Sequence, residues 1–239
     1  MMRVDGRALD EMRKVKATLG FSKFAEGSCL IEVGDTMVLC NASVEERVPP
    51  HVMSGGWVTA EYSMLPRANR ERSKRDVSKL KLSPRSAEIQ RLIGRSLRSA
   101  IELELLGERT ITVDCDVLQG DGGTRTASVT GGFIAMALAC RKLMEQGAIK
   151  QMPIRTYVSG ISAGIVRNEA MLDLCYEEDS RALVDLNCIM TAEGDLIELQ
   201  ATGEGRPFSV EEERKLLALC RKGNAILTQM QRRCLGGLE

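Results

Sequence analysis

Aromatic residues and histidine are scarce in this sequence. Phe, Trp and Tyr together account for eight of the 239 residues, and His51 is the single histidine. A mechanism that needs two histidines, such as a metal centre with several His ligands, is therefore excluded. A binding sheet that stacks several RNA bases on aromatic rings is hard to build. His51 follows two prolines and is predicted to lie in a loop rather than to take part in catalysis.

Long apolar runs and closely spaced cysteine pairs are also missing. No apolar run approaches the roughly 18–20 residues that a membrane span needs, and the polar start of the chain has no signal-peptide core. The eight cysteines contain no C-x-x-C pair that would suggest a zinc site or a redox motif. Most of them fall in apolar stretches, so we predict reduced core residues. We therefore expect a soluble protein of the cytoplasm that makes no contact with a membrane.

The overall composition is that of a globular protein. Hydrophobic residues make up 44% of the chain and charged residues 28%, which excludes a disordered protein. The length allows one large domain or two small ones. We see no linker and no tandem repeat, and we predict a single domain over residues 1–239.

The formal net charge of zero conceals two oppositely charged segments. Residues 67–98 contain eleven basic and three acidic residues, whereas residues 171–213 contain twelve acidic and two basic ones. Either segment alone could be a solvated face. Together in one chain they favour a strip that binds a polyanion beside carboxylates that could hold a metal or supply a proton.

Hydrophobic periodicity predicts an α+β protein with the element order ββββ-α-β-α-ββββ-α. A helix is predicted to begin after Ser83, with Pro84 as its first residue, and another to begin after Ser209. Residues 66–83 are rich in Arg, Lys and Ser and have no apolar period, so we expect an exposed basic loop. The predicted strands cover residues 15–20, 28–33, 36–44, 57–62, 109–118, 155–166, 170–176, 183–191 and 196–202, and the predicted helices cover 84–101, 126–146 and 210–233.

The strand–turn–helix at residues 109–146 is the strongest local signal for chemistry. Glycines in its turn, among them Gly123, allow backbone N–H groups to converge beside a helix start, which together can bind an anion. The turn is neither a Walker A loop nor a G-x-G-x-x-G motif, so it does not indicate a nucleoside triphosphate or a dinucleotide. Thr124 and Arg125 favour phosphate, because the Arg fork matches two phosphate oxygens.

Three further charged positions admit two interpretations each. Arg85 at a helix start opposes the helix dipole, and it is either an ordinary surface residue or a cation that a bound anion would balance. Asp179 and Asp185 lie in the acidic segment, which is either a solvated turn or a source of a proton or of ligands for Mg²⁺.

Several sequence blocks in a fixed order resemble the RNase PH family of phosphate-dependent 3′→5′ exoribonucleases, which trim the 3′ ends of tRNA precursors. The resemblance runs almost from end to end of the chain. The blocks that carry it are Arg3-Val-Asp-Gly-Arg7, Phe24-Ala-Glu-Gly-Ser28, Gly34-Asp-Thr-Met-Val-Leu-Cys40, Trp57-Val-Thr-Ala-Glu-Tyr-Ser-Met-Leu-Pro-Arg67, Glu88-Ile-Gln-Arg-Leu-Ile-Gly-Arg-Ser-Leu-Arg98, Asp114-Cys-Asp-Val-Leu-Gln119, Asp121-Gly-Gly-Thr-Arg-Thr-Ala-Ser128, Tyr176-Glu-Glu-Asp-Ser180 and Asp185-Leu-Asn187.

The resemblance implies a fold, an assembly and a role for each candidate residue. The implied fold is that of ribosomal protein S5 domain 2, and the implied assembly is a homohexameric ring built as a trimer of dimers. Asp179 would be the general acid and Asp185 would help to bind Mg²⁺, with both carboxylates as candidate metal ligands. Inorganic phosphate would be the co-substrate and RNA the partner. The residues implied to hold phosphate are Arg85, Gly123, Thr124 and Arg125, and those implied to contact RNA are Arg67, Arg72 and Arg75.

Two other functions remain compatible with parts of the sequence. The first is a non-catalytic RNA-binding ring subunit of the exosome type, which would share the fold without the chemistry. The joint presence of Arg85, Arg125, Asp179 and Asp185 favours the enzyme. The second is a phosphorylase of a small molecule or a nucleotide-binding enzyme, which the basic segment at 67–98 disfavours because a single nucleotide does not need so many cations.

Overall fold

The computed structural model describes residues 3–75, 78 and 81–238, and in this part of the chain two β-sheets and three long helices form the protein. The strands are β1 (Val15–Leu19), β2 (Gly27–Val33), β3 (Thr36–Glu45), β4 (Trp57–Met64), β5 (Thr110–Gln119), β6 (Val158–Val166), β7 (Glu169–Leu172), β8 (Val184–Thr191) and β9 (Leu196–Gly203). The helices are α1 (Pro84–Arg98), α2 (Leu103–Leu106), α3 (Thr124–Glu145), α4 (Tyr176–Asp179) and α5 (Val210–Leu235).

The first sheet has the strand order β1-β2-β3-β5-β4. Its strands pair in antiparallel fashion except for β4 and β5, which run parallel and are connected through α1 and α2. Strand β5 alternates between buried apolar residues and partly exposed polar ones, as its sequence predicts. Its end at Gln119 leads directly into the glycine turn.

The second sheet has the order β7-β6-β8-β9, and all of its strands pair in antiparallel fashion. Every residue of β6 is buried, because α5 packs against one face at Ile161 and the first turn of α3 packs against the other at Gly160. The register places Ser162 of β6 opposite Asn187 of β8, next to the pair formed by Gly164 and Asp185. This register brings two polar side chains of the candidate site onto neighbouring strands.

Helix α3 lies between the two sheets and packs against β2, β3 and β6. It is the one described helix that is long and apolar enough to cross a membrane by length and composition, yet 78% of its most apolar window is buried inside the protein. The burial is that of a core helix, with Phe133 and Ile134 fully covered. The candidate turn therefore begins on a firmly held element.

The long elements agree with the sequence predictions, and the α+β class is confirmed. The Ser83 side chain accepts a hydrogen bond from the Ser86 N–H at the start of α1, and Ser209 caps α5 in the same way. All eight cysteines are free thiols, and seven are buried, as expected for core residues. His51 lies in an exposed turn, with its ring edge-on to Trp57 at 5.1 Å.

Two short helices were not predicted, and one predicted strand is too long. The strand predicted at 170–176 ends at Leu172, and its last residue instead begins the helix α4. The break falls at Asp173, which adopts a left-handed backbone with φ of 53° and so cannot continue a strand. The other unpredicted helix, α2, is four residues long.

Within its described residues, the basic segment predicted as a loop contains no β-strand and no α-helix. Arg67, Arg72 and Arg75 are all exposed, as predicted. The segment is tied to the core near its start, where the Gly120 N–H donates to the carbonyl of the buried Ala68 at 2.8 Å. Asp76, Val77, Lys79 and Leu80 of the predicted loop lie outside the described residues.

Candidate anion-binding and catalytic site

A polar cleft of about 420 Å³ opens where the glycine turn meets the second sheet. Its walls come from the end of β4, the first turn of α1, the glycine turn, β6, α4 and β8. The residues that line it are Met64, Asn69, Arg85, Gly120, Gly122, Gly123, Thr124, Arg125, Ser162, Tyr176, Asp179, Asp185 and Asn187. A larger groove of about 780 Å³ lies elsewhere, between the N-terminal segment and α5, and it holds none of the predicted site residues.

The glycine turn requires glycine at two successive positions. Gly122 and Gly123 have φ values of +77° and +67°, a backbone region that side chains disfavour. A Cβ atom at Gly122 would also lie 2.5 Å from the Leu174 carbonyl oxygen. Gly123 is the N-cap of α3 and offers no side chain to the free N–H groups of the helix. Those N–H groups are therefore available to an anion.

Side chains from distant parts of the sequence hold this turn in place. The Arg13 guanidinium donates to the backbone carbonyl of Asp121 and also binds Asp173, with Nη2 2.7 Å from Oδ1. The Thr36 hydroxyl donates to the Gly122 carbonyl at 2.6 Å and accepts from the Asp121 N–H at 2.9 Å. The turn is fixed before any ligand binds, which is the condition for effective electrostatic stabilisation.

The two arginines beside the turn differ in their hydrogen bonding. Arg125 Nη1 donates to Gln200 Oε1 at 2.8 Å and to Glu88 Oε1 at 3.2 Å. Its Nε and Nη2 make no hydrogen bond to the described residues, so one edge of the guanidinium remains for an oxyanion. Arg85 is exposed and makes no hydrogen bond or ion pair within the described part of the chain. One arginine is thus oriented by two hydrogen bonds, and the other is held by none among the described residues.

Thr124 is the first residue of α3, and its side chain points to the first sheet. Its hydroxyl lies 2.9 Å from the Tyr62 hydroxyl, and Tyr62 is buried. Burial raises the pKa of Tyr62, so the phenol stays protonated at neutral pH. The pair anchors the start of α3 to β4.

Two carboxylates, Asp179 and Asp185, line the same cleft as the cations. Burial raises the pKa of Asp179, and the positive charges of Arg85 and Arg125 oppose that rise. Burial also raises the pKa of Asp185 to about 6, with a further contribution from the negative charge of Asp179. Asn187 Nδ2 donates to Asp185 Oδ2 at 2.9 Å and orients that carboxylate.

Ser162 contributes a hydroxyl that lacks a partner. The residue is 5% exposed, and its Oγ has no hydrogen-bond partner among the described residues. A buried hydroxyl without a partner is unfavourable, and this one lines the cleft beside the carboxylates. It is available to an oxygen of a ligand bound there.

The helix that carries Asp179 is itself held by a buried ion pair. Arg3 Nε donates to Glu178 Oε1 at 2.8 Å, and the two side chains are 0% and 3% exposed. Burial alone would raise the pKa of Glu178, but the hydrogen bonds and charge of Arg3 lower it overall. The ionised Glu178 also accepts from the Cys175 N–H at 3.2 Å, which closes the first turn of α4.

The predicted site residues fall into two groups. The cleft collects the six residues predicted to bind phosphate or to catalyse: Arg85, Gly123, Thr124, Arg125, Asp179 and Asp185. The three arginines predicted to contact RNA do not line it. Ser162 was not recognised from the sequence, and Tyr176 and Asn187 were quoted only within motifs. The pairing of Ser162 with Asn187 depends on strand register, which no local pattern reveals.

Comparison with known proteins accounts for nearly all of the chain. Residues 11–142 match the model of the 3′ exoribonuclease family, domain 1, and residues 156–223 match that of domain 2 of the same family. A ribonuclease PH from Bacillus velezensis is 56% identical over 238 residues, covering 98% of this chain and 97% of that protein. The prediction of a single domain over residues 1–239 stays a prediction.

Solved structures share the fold at much lower identity. Rice Rrp46 superposes with a TM-score of 0.80 at 17% identity and covers 98% of this chain and all of its own. An Archaeoglobus fulgidus exosome structure with RNA bound to the active site superposes with a TM-score of 0.80 at 23% identity, covering 95% of this chain and 92% of its own. The predicted RNase PH type of fold is thereby confirmed.

Proposed function

The chain belongs to the 3′ exoribonuclease family, and we propose that its polar cleft is where inorganic phosphate attacks the last phosphodiester of an RNA 3′ end. The protein is a phosphate-dependent 3′→5′ exoribonuclease that acts on tRNA, and we propose that its substrates are the 3′ ends of tRNA precursors. The observation that carries the site assignment is the convergence of six predicted residues from four separate segments on one cleft.

The reaction exchanges one phosphorus–oxygen bond for another. An oxygen of inorganic phosphate attacks the phosphorus of the terminal phosphodiester, and the bond to the 3′ oxygen of the preceding nucleotide breaks. The terminal nucleotide leaves as a nucleoside 5′-diphosphate, and the 3′ oxygen takes up a proton. Because the new bond is an anhydride, no ATP is needed, and the reaction can run in both directions.

The first obstacle is repulsion between two anions that must meet in line. Gln200 and Glu88 hold Arg125 through Nη1, which leaves the other edge of the guanidinium free for phosphate. The N–H groups at the start of α3 add partial positive charge. Arg85, in the first turn of α1, supplies a second full charge to the same cleft. We assign the orientation of the attacking phosphate to these groups, together with Gly123 and Thr124.

The second requirement is a proton for the leaving 3′ oxygen. Asp179 lines the same cleft, and burial raises the pKa of its carboxyl group. The two arginines oppose this rise while the cleft is empty. A bound phosphate would neutralise part of their charge and so raise the pKa of Asp179 further. We therefore assign Asp179 as the general acid.

The donor set of the cleft fits Mg²⁺. Mg²⁺ is commonly held by one or two carboxylates, with waters and substrate phosphates completing its shell. Asp185 supplies one carboxylate, and Asp179 supplies a second once it has given up its proton. Within the described residues no group of three or more acidic, Cys or His side chains is placed to hold a metal ion, so water and substrate phosphate would complete the shell. When bound, Mg²⁺ would stabilise charge on the phosphoryl oxygens.

The exposed arginines of the basic loop are suited to the RNA backbone. Arg67, Arg72 and Arg75 are exposed and border a segment whose Asn69 reaches the cleft. Contacts of this kind give affinity without sequence preference. Neutralising all three is expected to weaken binding of whole tRNA precursors more than binding of short oligonucleotides. Equal losses on both would contradict a role at a distance from the 3′ end.

We further propose a homohexamer, built as a trimer of dimers, that works in the cytoplasm. The support is the family membership together with the shared fold of ring-forming exosome subunits. A closed ring would place several basic loops around one opening and hold a structured RNA at many points. Mass measurement by light scattering tests the assembly directly: a hexameric mass supports it, and a monomer or dimer contradicts it.

The decisive experiment identifies the released nucleotide. Purified protein with Mg²⁺ is incubated with a 3′-extended RNA, with and without inorganic phosphate, beside the Asp179→Asn variant. Nucleoside diphosphates that appear only with phosphate, and only with the unaltered chain, support the proposal. Monophosphates without phosphate would mean a hydrolase. Tight RNA binding without any release would favour the non-catalytic ring subunit.

A further inference from the structure

Tyr176 is the one aromatic residue that lines the cleft within the described residues. Its side chain is 49% exposed, whereas three of the eight aromatic residues are buried in the core. Tyr62 is buried, and its hydroxyl lies within hydrogen-bond distance of the Thr124 hydroxyl. The ring of Tyr176 is therefore open to a ligand bound in the cleft.

The backbone of Tyr176 is fixed beside both halves of the proposed site. The Tyr176 N–H donates to Asp121 Oδ1 at 3.3 Å, and a Cβ atom on Gly122 would lie 3.0 Å from the same nitrogen. Asp179 lies three residues further along the same helical turn. A ring at this position is adjacent to the phosphate turn on one side and to the proposed acid on the other.

Arg70 covers part of the ring and connects it to the basic loop. Its guanidinium carbon lies 5.5 Å from the ring centroid of Tyr176, within the range of a cation–π interaction. A planar cation over an aromatic ring forms a surface on which a nucleobase can stack. The positive charge of that cation also attracts the phosphates of a nucleic acid.

We propose that Tyr176 and Arg70 form a stacking platform for the base of the 3′-terminal nucleotide. This inference rests on the proposed function and names the subsite that holds the base while the phosphate turn and Asp179 act on its phosphodiester. Stacking suits an enzyme that must accept every base in turn, because each base has a π-face. A stacking surface does not distinguish bases by their hydrogen-bonding groups. Tyr176 is a positioning residue in this scheme.

The test varies the ring and the base together. Binding of a 5′-labelled oligonucleotide is measured without phosphate, so that no cleavage occurs, using a normal or an abasic 3′-terminal nucleotide. With the unaltered protein, the abasic end should bind roughly 5- to 100-fold more weakly, the range expected for one stacked base. Tyr176→Leu should weaken the normal oligonucleotide by a similar factor and leave the abasic one unchanged, whereas Tyr176→Phe should retain the binding.

The chain offers a matched control for an exposed ring under a cation. Phe24 is 88% exposed, and the Lys23 ammonium lies 5.6 Å from its ring centroid, but neither lines the cleft. Phe24→Leu should leave both affinities unchanged. A 2-aminopurine at the RNA 3′ end gives a second readout, because its fluorescence should be quenched by the unaltered protein and by Tyr176→Phe but not by Tyr176→Leu.

The outcomes separate this inference from the proposed function. If Tyr176→Leu weakens normal and abasic ends equally, the ring has a structural role and the platform is refuted. The same holds if Tyr176→Leu changes neither affinity. Diphosphate release by the unaltered protein is measured independently, so its absence would overturn the proposed function whatever the binding data show.

Discussion

Truncation of Arg125 tests the phosphate site most directly. Its side chain is 18% exposed and is held by Gln200 and Glu88 through a single nitrogen, Nη1. The opposite edge of the guanidinium can therefore bind two phosphate oxygens without rearrangement. Removing one pre-organised donor of this kind costs about 2–4 kcal/mol of transition-state stabilisation, or roughly 30- to 1,000-fold in rate.

We expect Arg125→Ala to lower kcat/KM for phosphate by that factor without unfolding the protein. Gln200 Nε2 donates to Glu88 Oε1 at 3.1 Å, so the truncation does not leave that carboxylate without a partner. Arg125→Lys keeps the charge but loses the two-pronged edge, and it should recover only part of the rate.

The assay follows diphosphate release from a 3′-labelled RNA over a range of phosphate concentrations. Arg221→Ala serves as the control, because Arg221 is exposed on α5 and does not line the cleft. A value of kcat/KM for Arg125→Ala within threefold of the unaltered protein would refute the assignment. So would an equal loss in the Arg221→Ala control.

Two further predictions concern a buried hydroxyl that has no hydrogen-bond partner among the described residues and a carboxyl group whose pKa is raised. Ser162→Ala should raise the KM for phosphate or RNA while slightly increasing resistance to denaturant, because it removes a buried hydroxyl without a partner; a loss of stability would contradict this. Burial, together with the negative charges of Glu61 and Asp116, raises the pKa of Asp114 from 3.8 to about 6. The folded state therefore binds a proton more tightly than the unfolded state, and Asp114 costs stability above pH 6 but not below pH 4. The shift corresponds to at most about 3 kcal/mol, reduced to ~1–2 kcal/mol for a half-buried group. Asp114→Asn should thus be more stable by that amount at pH 7.5, with the gain vanishing near pH 4; a gain independent of pH would contradict the reasoning.

The long elements could be predicted because their signals are local. Strand β5 alternates strictly, and α1 has a capping serine followed by proline at its start. The glycine turn could also be recognised, because its glycines directly follow a predicted strand and precede a predicted helix. These features depend on residues within one or two turns of each other.

The elements that position the acid could not be predicted, because distant residues determine them. The strand predicted to continue to Tyr176 ends where Asp173 adopts a left-handed backbone, and that carboxylate is held by Arg13, 160 residues earlier in the chain. The helix α4 is four residues long and depends on Arg3. Ser162 likewise gains its position from a strand register that only the folded sheet displays.

Buried ion pairs of the N-terminal segment hold the phosphate turn and Asp179 at a fixed separation. Arg13 joins the glycine turn to Asp173, and Arg3 joins the following helix through Glu178. Buried pairs of this kind contribute little net stability, because the cost of desolvation offsets most of their attraction. Their value lies in geometry: a phosphoryl transfer that depends on positioning loses rate steeply when donor and acid drift apart. Because both arginines come from the first thirteen residues, the N-terminal segment fixes the separation between the phosphate turn and Asp179.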